Sequence, residues 1–330
     1  MLLRAPPPVP DCQAVLPTAP GGKEMLPESM FWLVLTGQVP SESQVRDLSA
    51  ELASKAELPP YLEKIIDSFP KTLHPMTQLS SAVAALNHDS AFAAAYERGI
   101  RKPDMWDPMF DDSITLIAKI PVIAARIYNN TVRDGAKMPP LDKNKDQVAN
   151  YVTQMGFESE GLAEYLRLYI ALHGDHEGGN VSAHTTHLVG SALGDAYISY
   201  SAALHGLASP LHGLANSEVL RWILAMSKKI GPEADLEKIK EYLWSTLKGG
   251  QVVPGYGHAV LRKPDPRFSA LQDFAERREE LRKDPIVQLV QKTSQVATDV
   301  LMEHGKTKNP HRKSLLLPSS WRTDLSSLLS

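Results

Sequence analysis

The sequence predicts an all-α protein, a packing of many helices around one large core. Most of its periodic segments place apolar residues three and four positions apart, which is the spacing of one helix face. Convincing strand patterns, with apolar residues at every second position, are scarce. The 330 residues are enough for about two domains at roughly 150 residues each.

The predicted helices follow one another along the chain. Residues 41–58 form the first, with Pro40 and Ser41 as its start signal. Residues 78–95 are rich in alanine and predict a helix pair or a broken helix. Residues 111–132 predict a helix with a kink at Pro121. The remaining predicted helices cover 61–69, 158–173, 218–229, 236–247, which stops at Lys248-Gly249-Gly250-Gln251, and 284–303. In 158–173 the expected apolar stripe consists of Leu162, Tyr165, Leu166, Tyr169, Ile170 and Leu172.

Composition narrows the classes of function. Apolar residues make up 43% of the chain, charged residues 22%, and the net charge is −3. These values are ordinary for a globular protein and give no reason to expect nucleic acid or a membrane as a partner. A single cysteine, Cys12, excludes an internal disulfide framework and a cysteine-rich metal site. The longest apolar run, 116–127, is interrupted by charged residues and by Pro121.

Both ends of the chain are unusual. Residues 1–11 are rich in proline, and three consecutive prolines break a helix, so we expect no cleavable transit peptide in the chain as written. Residues 311–330 are mostly serine and leucine without a periodic face. Such a tail is typical of an altered splice or reading frame, and we expect it to be poorly ordered.

Chemically capable residues are most crowded in 254–267. Glycines there allow a sharp turn or a close approach to a ligand, and a histidine titrates near neutral pH. Arginines add fixed charges whose geometry fits a carboxylate or a phosphate. A proline- and glycine-containing loop with solvated charges would have the same spacing. The residues concerned are Gly255, Gly257, His258, Arg262 and Arg267.

A second histidine, His212, lies in the block 206–216. Ser209 and Pro210 have the form of an N-cap followed by a proline at the first helical position, which places His212 in the first turn of a helix. The positive helix end disfavours an imidazolium, so His212 is expected to stay neutral. A neutral histidine in that place can donate a hydrogen bond to a carbonyl oxygen that becomes an enolate. The alternative is a packed histidine beside a glycine turn.

Four further histidines form the cluster His173, His176, His184 and His187, and Glu177 follows the second of them. Pairs of histidines three residues apart bind zinc in some enzymes, so a metal-dependent hydrolase is an alternative. Residues 178–180, Gly-Gly-Asn, separate the two pairs, and neither HExxH nor HxxEH is present. We therefore expect no metal site.

Three blocks in this order resemble the motifs of the citrate synthases: Asp175-His-Glu-Gly-Gly-Asn-Val-Ser-Ala-His184, Gly206-Leu-Ala-Ser-Pro-Leu-His-Gly-Leu-Ala-Asn216 and Gly255-Tyr-Gly-His-Ala-Val-Leu-Arg262 with Asp265-Pro-Arg267. The similarity covers about Cys12 to Pro310 and is closest to the eukaryotic, mitochondrial-type enzymes. It implies an incomplete large helical domain, 12–214, and a small domain, 215–310, that carries the His258 loop. It also implies that the chain is truncated at both ends.

The resemblance implies a reaction as well. The family condenses acetyl-CoA with oxaloacetate and water to citrate and CoA in the tricarboxylic acid cycle. It works as a homodimer in the mitochondrial matrix and needs no metal or redox cofactor. A near neighbour, 2-methylcitrate synthase, uses propionyl-CoA, and the sequence does not exclude it. An inactive fragment that still binds CoA or a dicarboxylate is a further alternative.

Site residues carry over by position. His212 matches the donor to the thioester oxygen, and His258, His176 and Arg267 match groups that hold and polarise oxaloacetate. Asn180 and Ser182 match residues that support the site from behind. The expected CoA contacts are Leu211, Val252, Val253, Pro254, Gly255, Tyr256, Gly257 and Arg262. We expect the imidazoles of His212 and His258 and the guanidinium of Arg267 to meet in one interdomain crevice.

One catalytic position departs from the family. Its general base is an aspartate a few residues after Lys-Asn-Pro. Here Lys308-Asn309-Pro310 is followed by unrelated residues, Leu315 stands about where the aspartate belongs, and Asp324 is too far along. Two later substrate-binding arginines have no match. We therefore expect this chain to be severely impaired as an enzyme.

Overall fold

The computed structural model describes residues 9–175, 178–256 and 265–306, with side chains from residue 12 onward. Within these ranges the chain forms helices and no strand, which confirms the all-α class; an isolated antiparallel bridge joins Thr18 and Met25. The helices are α1 (Val9–Val15), α2 (Pro27–Thr36), α3 (Glu42–Lys55), α4 (Pro60–Ser68), α5 (Pro75–Ala85), α6 (Ala91–Glu97), α7 (Trp106–Val132), α8 (Gln147–Gln154), α9 (Glu160–Leu172), α10 (Val181–Ser191), α11 (Ala196–Leu207), α12 (Ala215–Ile230), α13 (Leu236–Lys248), α14 (Pro266–Glu276), α15 (Glu279–Arg282) and α16 (Pro285–His304). None of these described helices has the length and apolar character needed to cross a membrane.

The chain divides into two compact units with the boundary between His212 and Gly213. The first contains α1 to α11, and its central helix α7 packs against α3, α5, α6, α8 and α11. Leu62, Leu86 and Ile123 are fully buried in its core. Each such side chain contributes about 1.5–3 kcal/mol relative to an exposed one.

Pro121 lies inside α7 without ending it. A proline has no N–H, so the carbonyl of Ile117 loses the partner that an uninterrupted helix would supply. The side chain of Gln147, the first residue of α8, replaces that partner: its Nε2 donates to the Ile117 oxygen at 2.8 Å. The helix therefore continues through the proline with the help of a neighbouring helix.

Several sequence predictions are confirmed in detail. Ser41 caps α3 in a reciprocal arrangement, because its hydroxyl accepts from the Gln44 N–H while the Gln44 side chain accepts from the Ser41 N–H. The alanine-rich region is a broken helix: α5 ends at Ala85, a 3₁₀ turn follows, and α6 begins at Ala91. Helix α13 ends at Lys248, immediately before the paired glycines.

The predicted apolar stripe of α9 is partly wrong. Ile170 is 39% exposed, whereas Glu164 and Arg167 are buried among the apolar residues. The reason is a buried ion network. Arg167 Nη2 lies 2.8 Å from Asp146, the residue that caps α8, and Arg167 Nη1 lies 2.8 Å from Glu164. Paired charges tolerate burial that isolated charges do not.

The second unit contains α12 to α16. Helix α16 packs against α12 and α13, and α14 packs against α15. Leu243, Leu271, Phe274 and Leu289 are fully buried and form the main part of its core. The atypical residues 1–8 and 311–330, for which the sequence raised expectations of their own, lie outside the described residues.

Candidate active site

The first unit brings Asn180, Ser182 and His212 together. Asn180 is the N-cap of α10, where a short polar side chain can accept from the unpaired N–H groups of the first turn. Its Oδ1 accepts from the Ala183 N–H at 3.0 Å and from the Ser182 hydroxyl at 2.8 Å. The Ser182 oxygen in turn lies 2.8 Å from His212 Nε2. The imidazole is therefore held in place by the start of a helix that is distant in sequence.

The position of His212 itself corrects a prediction. No helix begins at Ser209; residues 208–214 form turns, and α12 starts at Ala215 with no side-chain cap. The His212 N–H donates to the Ser209 carbonyl at 3.0 Å, which is a single turn rather than a helix. Gly213 disfavours continuation because glycine loses much conformational freedom in a helix. His212 is thus not in the first turn of a helix, and the helix-dipole argument for its neutral form does not apply.

The hydrogen bonds of Ser182 determine which nitrogen of a neutral His212 ring carries the hydrogen. A hydroxyl has one hydrogen. If Ser182 donates it to Asn180, then His212 Nε2 must donate to Ser182, and a neutral ring has its acceptor at Nδ1. If Ser182 donates to Nε2 instead, the neutral ring carries its hydrogen at Nδ1, and Asn180 Oδ1 keeps its bond from the Ala183 N–H. The second arrangement supplies a neutral hydrogen-bond donor at Nδ1.

The second unit holds Arg267 in a fixed orientation. Asp265 caps α14 by accepting from the Arg267 N–H at 2.9 Å, and it is 1% exposed. The same carboxylate accepts from Arg267 Nη2 at 2.7 Å and from Nε at 3.0 Å. Within the described part of the chain Arg267 Nη1 has no hydrogen bond, so this edge of the guanidinium can donate to a further acceptor. The motif contained Asp265, but its role as the support of Arg267 was not predicted.

The loop 252–256 requires glycine at position 255. Gly255 has φ +83°, and a Cβ there would lie 3.0 Å from Val219 Cγ2. Val253 is buried at 3% exposure, whereas Val252 is 79% exposed. Pro254 and Tyr256 are half-buried. The exposed side chain of Val252 is therefore accessible to a ligand. The buried side chain of Val253 anchors the loop in the second unit.

The remaining predicted site residues are either exposed or outside the described residues. Leu211, in the first unit, is 98% exposed. His176, Gly257, His258 and Arg262 lie outside the described residues, as does Leu315. The predicted convergence of His212, His258 and Arg267 therefore stays a prediction.

The histidine cluster is only partly described. His173 Nδ1 lies 2.6 Å from the Tyr169 carbonyl at the end of α9, and His184 and His187 lie on α10. Among the described residues, which exclude His176 and Glu177, no group of three or more metal-ligating side chains occurs.

Comparison with known proteins identifies the class. Residues 16–313 match the family model for the citrate synthase C-terminal domain, so the chain belongs to the citrate synthase family. The mitochondrial 2-methylcitrate synthase of Fusarium solani is 59% identical over 91% of this chain and 65% of that protein. The mitochondrial citrate synthase of Emericella nidulans is 57% identical over 92% of this chain and 64% of that protein.

A solved structure agrees with these relatives. The crystal structure of citrate synthase from Pyrobaculum aerophilum is 26% identical, with a TM-score of 0.73 over 87% of this chain and 70% of that one. This chain spans slightly less than two thirds of the length of the fungal relatives, at 65% and 64%.

Proposed function

We propose that this chain derives from an enzyme that condenses an acyl-CoA with oxaloacetate, with acetyl-CoA as the donor and citrate and CoA as the products. Membership of the citrate synthase family supports the reaction class. The observation that carries the proposal furthest is the 2.8 Å contact between Ser182 Oγ and His212 Nε2. When the Ser182 hydroxyl turns from Asn180 to Nε2, the neutral imidazole carries its hydrogen at Nδ1 and can donate there. The reaction uses no metal or redox cofactor.

Each residue has a distinct task in this proposal. His212 donates from Nδ1 to the thioester oxygen as the methyl carbon loses its proton, with the Ser182 hydroxyl turned toward Nε2. Arg267 uses the edge that Asp265 leaves open to bind a carboxylate of oxaloacetate, and His176 and His258 hold and polarise the same substrate. The loop 252–257, with Leu211 and Arg262, contacts CoA.

This chain lacks the aspartate that serves as the general base in the family. With Leu315 at the position of the aspartate, no carboxylate removes the methyl proton, and general-base help is typically worth about 10²- to 10⁴-fold in rate. We therefore expect thiol release from acetyl-CoA and oxaloacetate to be slower than that of a complete family member by at least this factor. Turnover at an ordinary enzyme rate would refute the impairment.

Binding can survive where turnover fails, so calorimetric titration with oxaloacetate tests the substrate assignment directly. Arg267→Lys keeps a positive charge but loses the planar fork, and we expect weaker binding. Arg278→Lys is a matched control, because Arg278 lies over the Phe274 ring and has no role in the proposal. Binding that is equally strong in Arg267→Lys would remove Arg267 from the site. Binding of CoA or oxaloacetate without any turnover would identify an inactive binding fragment.

The second candidate is 2-methylcitrate synthesis from propionyl-CoA. It is favoured by one observation: the Fusarium solani and Gibberella moniliformis relatives, 59% and 58% identical, carry that name. The margin over the 57% identity of the Emericella nidulans citrate synthase is small. Comparison of thiol release with acetyl-CoA and propionyl-CoA, in a chain that carries the family's aspartate segment after Pro310, separates the two.

The assembly and its location are also part of the proposal. Helix α10 has no buried residue in the described chain, and Val181 and Leu188 are 57% and 63% exposed. The family resemblance implies a homodimer, and we assign this apolar face to the contact with the second copy. Leu188→Glu should convert a dimer to a monomer in light scattering, whereas Leu236→Glu, on the second unit, should not. The names of the relatives support a mitochondrial location, which subcellular fractionation tests.

The metal-dependent hydrolase has less support, and metal analysis of the purified protein decides it. One tightly held zinc ion per chain would favour the hydrolase. We expect none.

A further inference from the structure

A cleft of about 860 Å³ lies in the first unit. Its lining residues fall between positions 53 and 154, and neither Ser182 nor His212 is among them. One wall is the end of α3 and part of α4, a second is the middle of α7, and the third is the segment 135–143. Leu58, Val122, Met138 and Leu141 give it apolar sides. Polar and charged side chains make up about half of the lining. The volume is in the range of small-molecule sites.

Gln154 is the unusual polar residue of this cleft. It lines the cleft and is only 3% exposed, yet its Oε1 has no hydrogen-bond partner. Its Nε2 makes no hydrogen bond to a described residue either, although its backbone carbonyl accepts from Asn129 Nδ2 at 2.9 Å. Buried amides are normally paired, because an unpaired one loses its hydration without replacement.

Two neighbours on the same helix show the contrast. Gln147 donates to the Ile117 carbonyl at 2.8 Å, and Asn150 donates to the Asp142 carbonyl at 2.9 Å while accepting from the Asp142 N–H. Their amides complete the protein's own backbone bonding. Only Gln154, of these three, has an unpaired amide oxygen, and it lines the cleft.

A small inner cavity adjoins the same residue. It has a volume of about 20 Å³, and Gln154, Val122, Leu141 and Ala53 line both the cavity and the cleft. That volume holds one water molecule. A single water in this cavity is the alternative partner of Oε1.

Some of the charged side chains that line the cleft are in ion pairs, and others are not. On one side the carboxylates of Glu63 and Asp67 are both paired with Arg126, at 2.7 and 2.6 Å. On the other side Lys137 and Lys143 line the cleft, are exposed, and have no ion pair among the described residues. Glu57, just after α3, also lines the cleft and has no ion pair among the described residues, so the unpaired positive charge is confined to the side of the two lysines. An anionic group is favoured on that side alone.

We propose that this cleft binds a small molecule that carries a secondary amide and a carboxylate, of the class of N-acylated amino acids. Gln154 Oε1 accepts a hydrogen bond from the N–H of the ligand's amide. A secondary amide is trans, with its N–H and C=O on opposite sides, so the two amides share one hydrogen bond. The carboxylate lies near Lys137 and Lys143, and an apolar side chain packs against Val122 and Met138. The proposal rests on the first unit alone and is independent of the condensation reaction.

The test is a titration of the full chain with N-acetyl-L-leucine, followed by two-dimensional NMR or calorimetry. Two related probes separate the contributions: 4-methylpentanoate lacks the amide, and N-acetyl-L-leucine methyl ester lacks the charge. The variants are Gln154→Leu, the double variant Lys137→Ala/Lys143→Ala, and Lys64→Ala, an exposed lysine that does not line the cleft.

We expect saturable binding of N-acetyl-L-leucine by the unaltered chain and by Lys64→Ala. Gln154→Leu and the probe without the amide should each bind up to about tenfold more weakly, since one buried hydrogen bond is lost. The double lysine variant and the methyl ester should bind several-fold more weakly. Gln154→Leu removes unpaired buried atoms, so its melting temperature should not fall.

Two results would overturn the proposal. The first is the absence of saturable binding by the unaltered chain, which would leave the inner water as the partner of Gln154. The second is undiminished binding by a folded Gln154→Leu variant. Neither result bears on the turnover of acyl-CoA.

Discussion

Replacement of Arg167 by methionine tests whether the ion network of α8 and α9 holds the first unit together. The guanidinium is 4% exposed and is paired with Asp146 and Glu164, whose side chains are 9% and 6% exposed. Its third partner, Glu160, is 72% exposed. Burial by itself lowers the pKa of Arg167, but the hydrogen bonds and attraction of Asp146, with those of Glu160 and Glu164, raise it overall.

The expected cost follows from what remains after the change. Removal of one partner from a buried ion pair costs about 3–5 kcal/mol, because a buried charge is left without compensation. Both carboxylates keep backbone donors, however: Glu164 accepts from the Lys23 N–H at 2.7 Å and Asp146 from the Ala149 N–H at 3.0 Å. We therefore place Arg167→Met at the lower end, at about 3 kcal/mol.

Hydrogen exchange measures this cost within the first unit. The slowest amides of α8 and α9 should exchange about 100-fold faster in Arg167→Met, because each 1.4 kcal/mol corresponds to a factor of ten. The double variant Arg167→Met/Glu164→Gln should recover part of the loss, since it removes one of the two stranded charges. Glu160→Gln is the matched control and should change the exposed contact by about 0.5 kcal/mol at most. A loss below about 1 kcal/mol in Arg167→Met would refute the reasoning, because it would mean that the pairs barely offset their desolvation.

Three further predictions concern single residues. Ser182→Ala removes the partner of His212 Nε2, so the ¹⁵N shifts of the His212 ring should change, whereas Ser191→Ala, at the exposed end of α10, should leave them unaltered. Gly255→Ala should destabilise the second unit by about 2 kcal/mol or more in denaturant unfolding. Gly250 also has a positive φ, +75°, but no atom lies within 4 Å of a Cβ added there, so an equal loss in Gly250→Ala would exclude a role for Val219. Burial, and then the charge of Asp146, raise the pKa of Glu28; its contribution to stability is therefore complete below the unfolded pKa and is lost as pH rises through the folded pKa. Glu28→Gln should flatten that pH dependence, and an unchanged slope would contradict the assignment.

The sequence predicted the helices whose apolar residues recur at helical spacing, because those helices bury one face. Helices α3, α12, α13 and α16 are of this kind. Helix α10 was not predicted. It buries no residue in the described chain, and its sequence lacks apolar residues three or four positions apart. Helix α2 is apolar at most of its positions and has no polar face to mark its period.

Long-range polar partners were the main source of error. The pattern of α9 gives Arg167 no reason to be buried, because its partner Asp146 belongs to another helix and lies 21 residues earlier. The pattern at Ser209 and Pro210 resembles a helix start, but the Ser209 hydroxyl donates to the His205 carbonyl at 3.4 Å and α12 begins at Ala215. The site motifs themselves were recognised as blocks, and what they could not give was the hydrogen-bond order from Asn180 through Ser182 to His212.

The hydrogen bond from the Gln147 side chain to the Ile117 carbonyl makes position 147 of α8 depend on position 121 of α7. A lineage that exchanged Pro121 for another residue would regain an N–H for that carbonyl, and position 147 would be released to vary. A lineage that keeps the proline is expected to keep a donor side chain at 147, whether an amide, an indole or a hydroxyl. Positions 121 and 147 should therefore be inherited as a pair in an alignment of relatives, although 26 residues separate them in the chain.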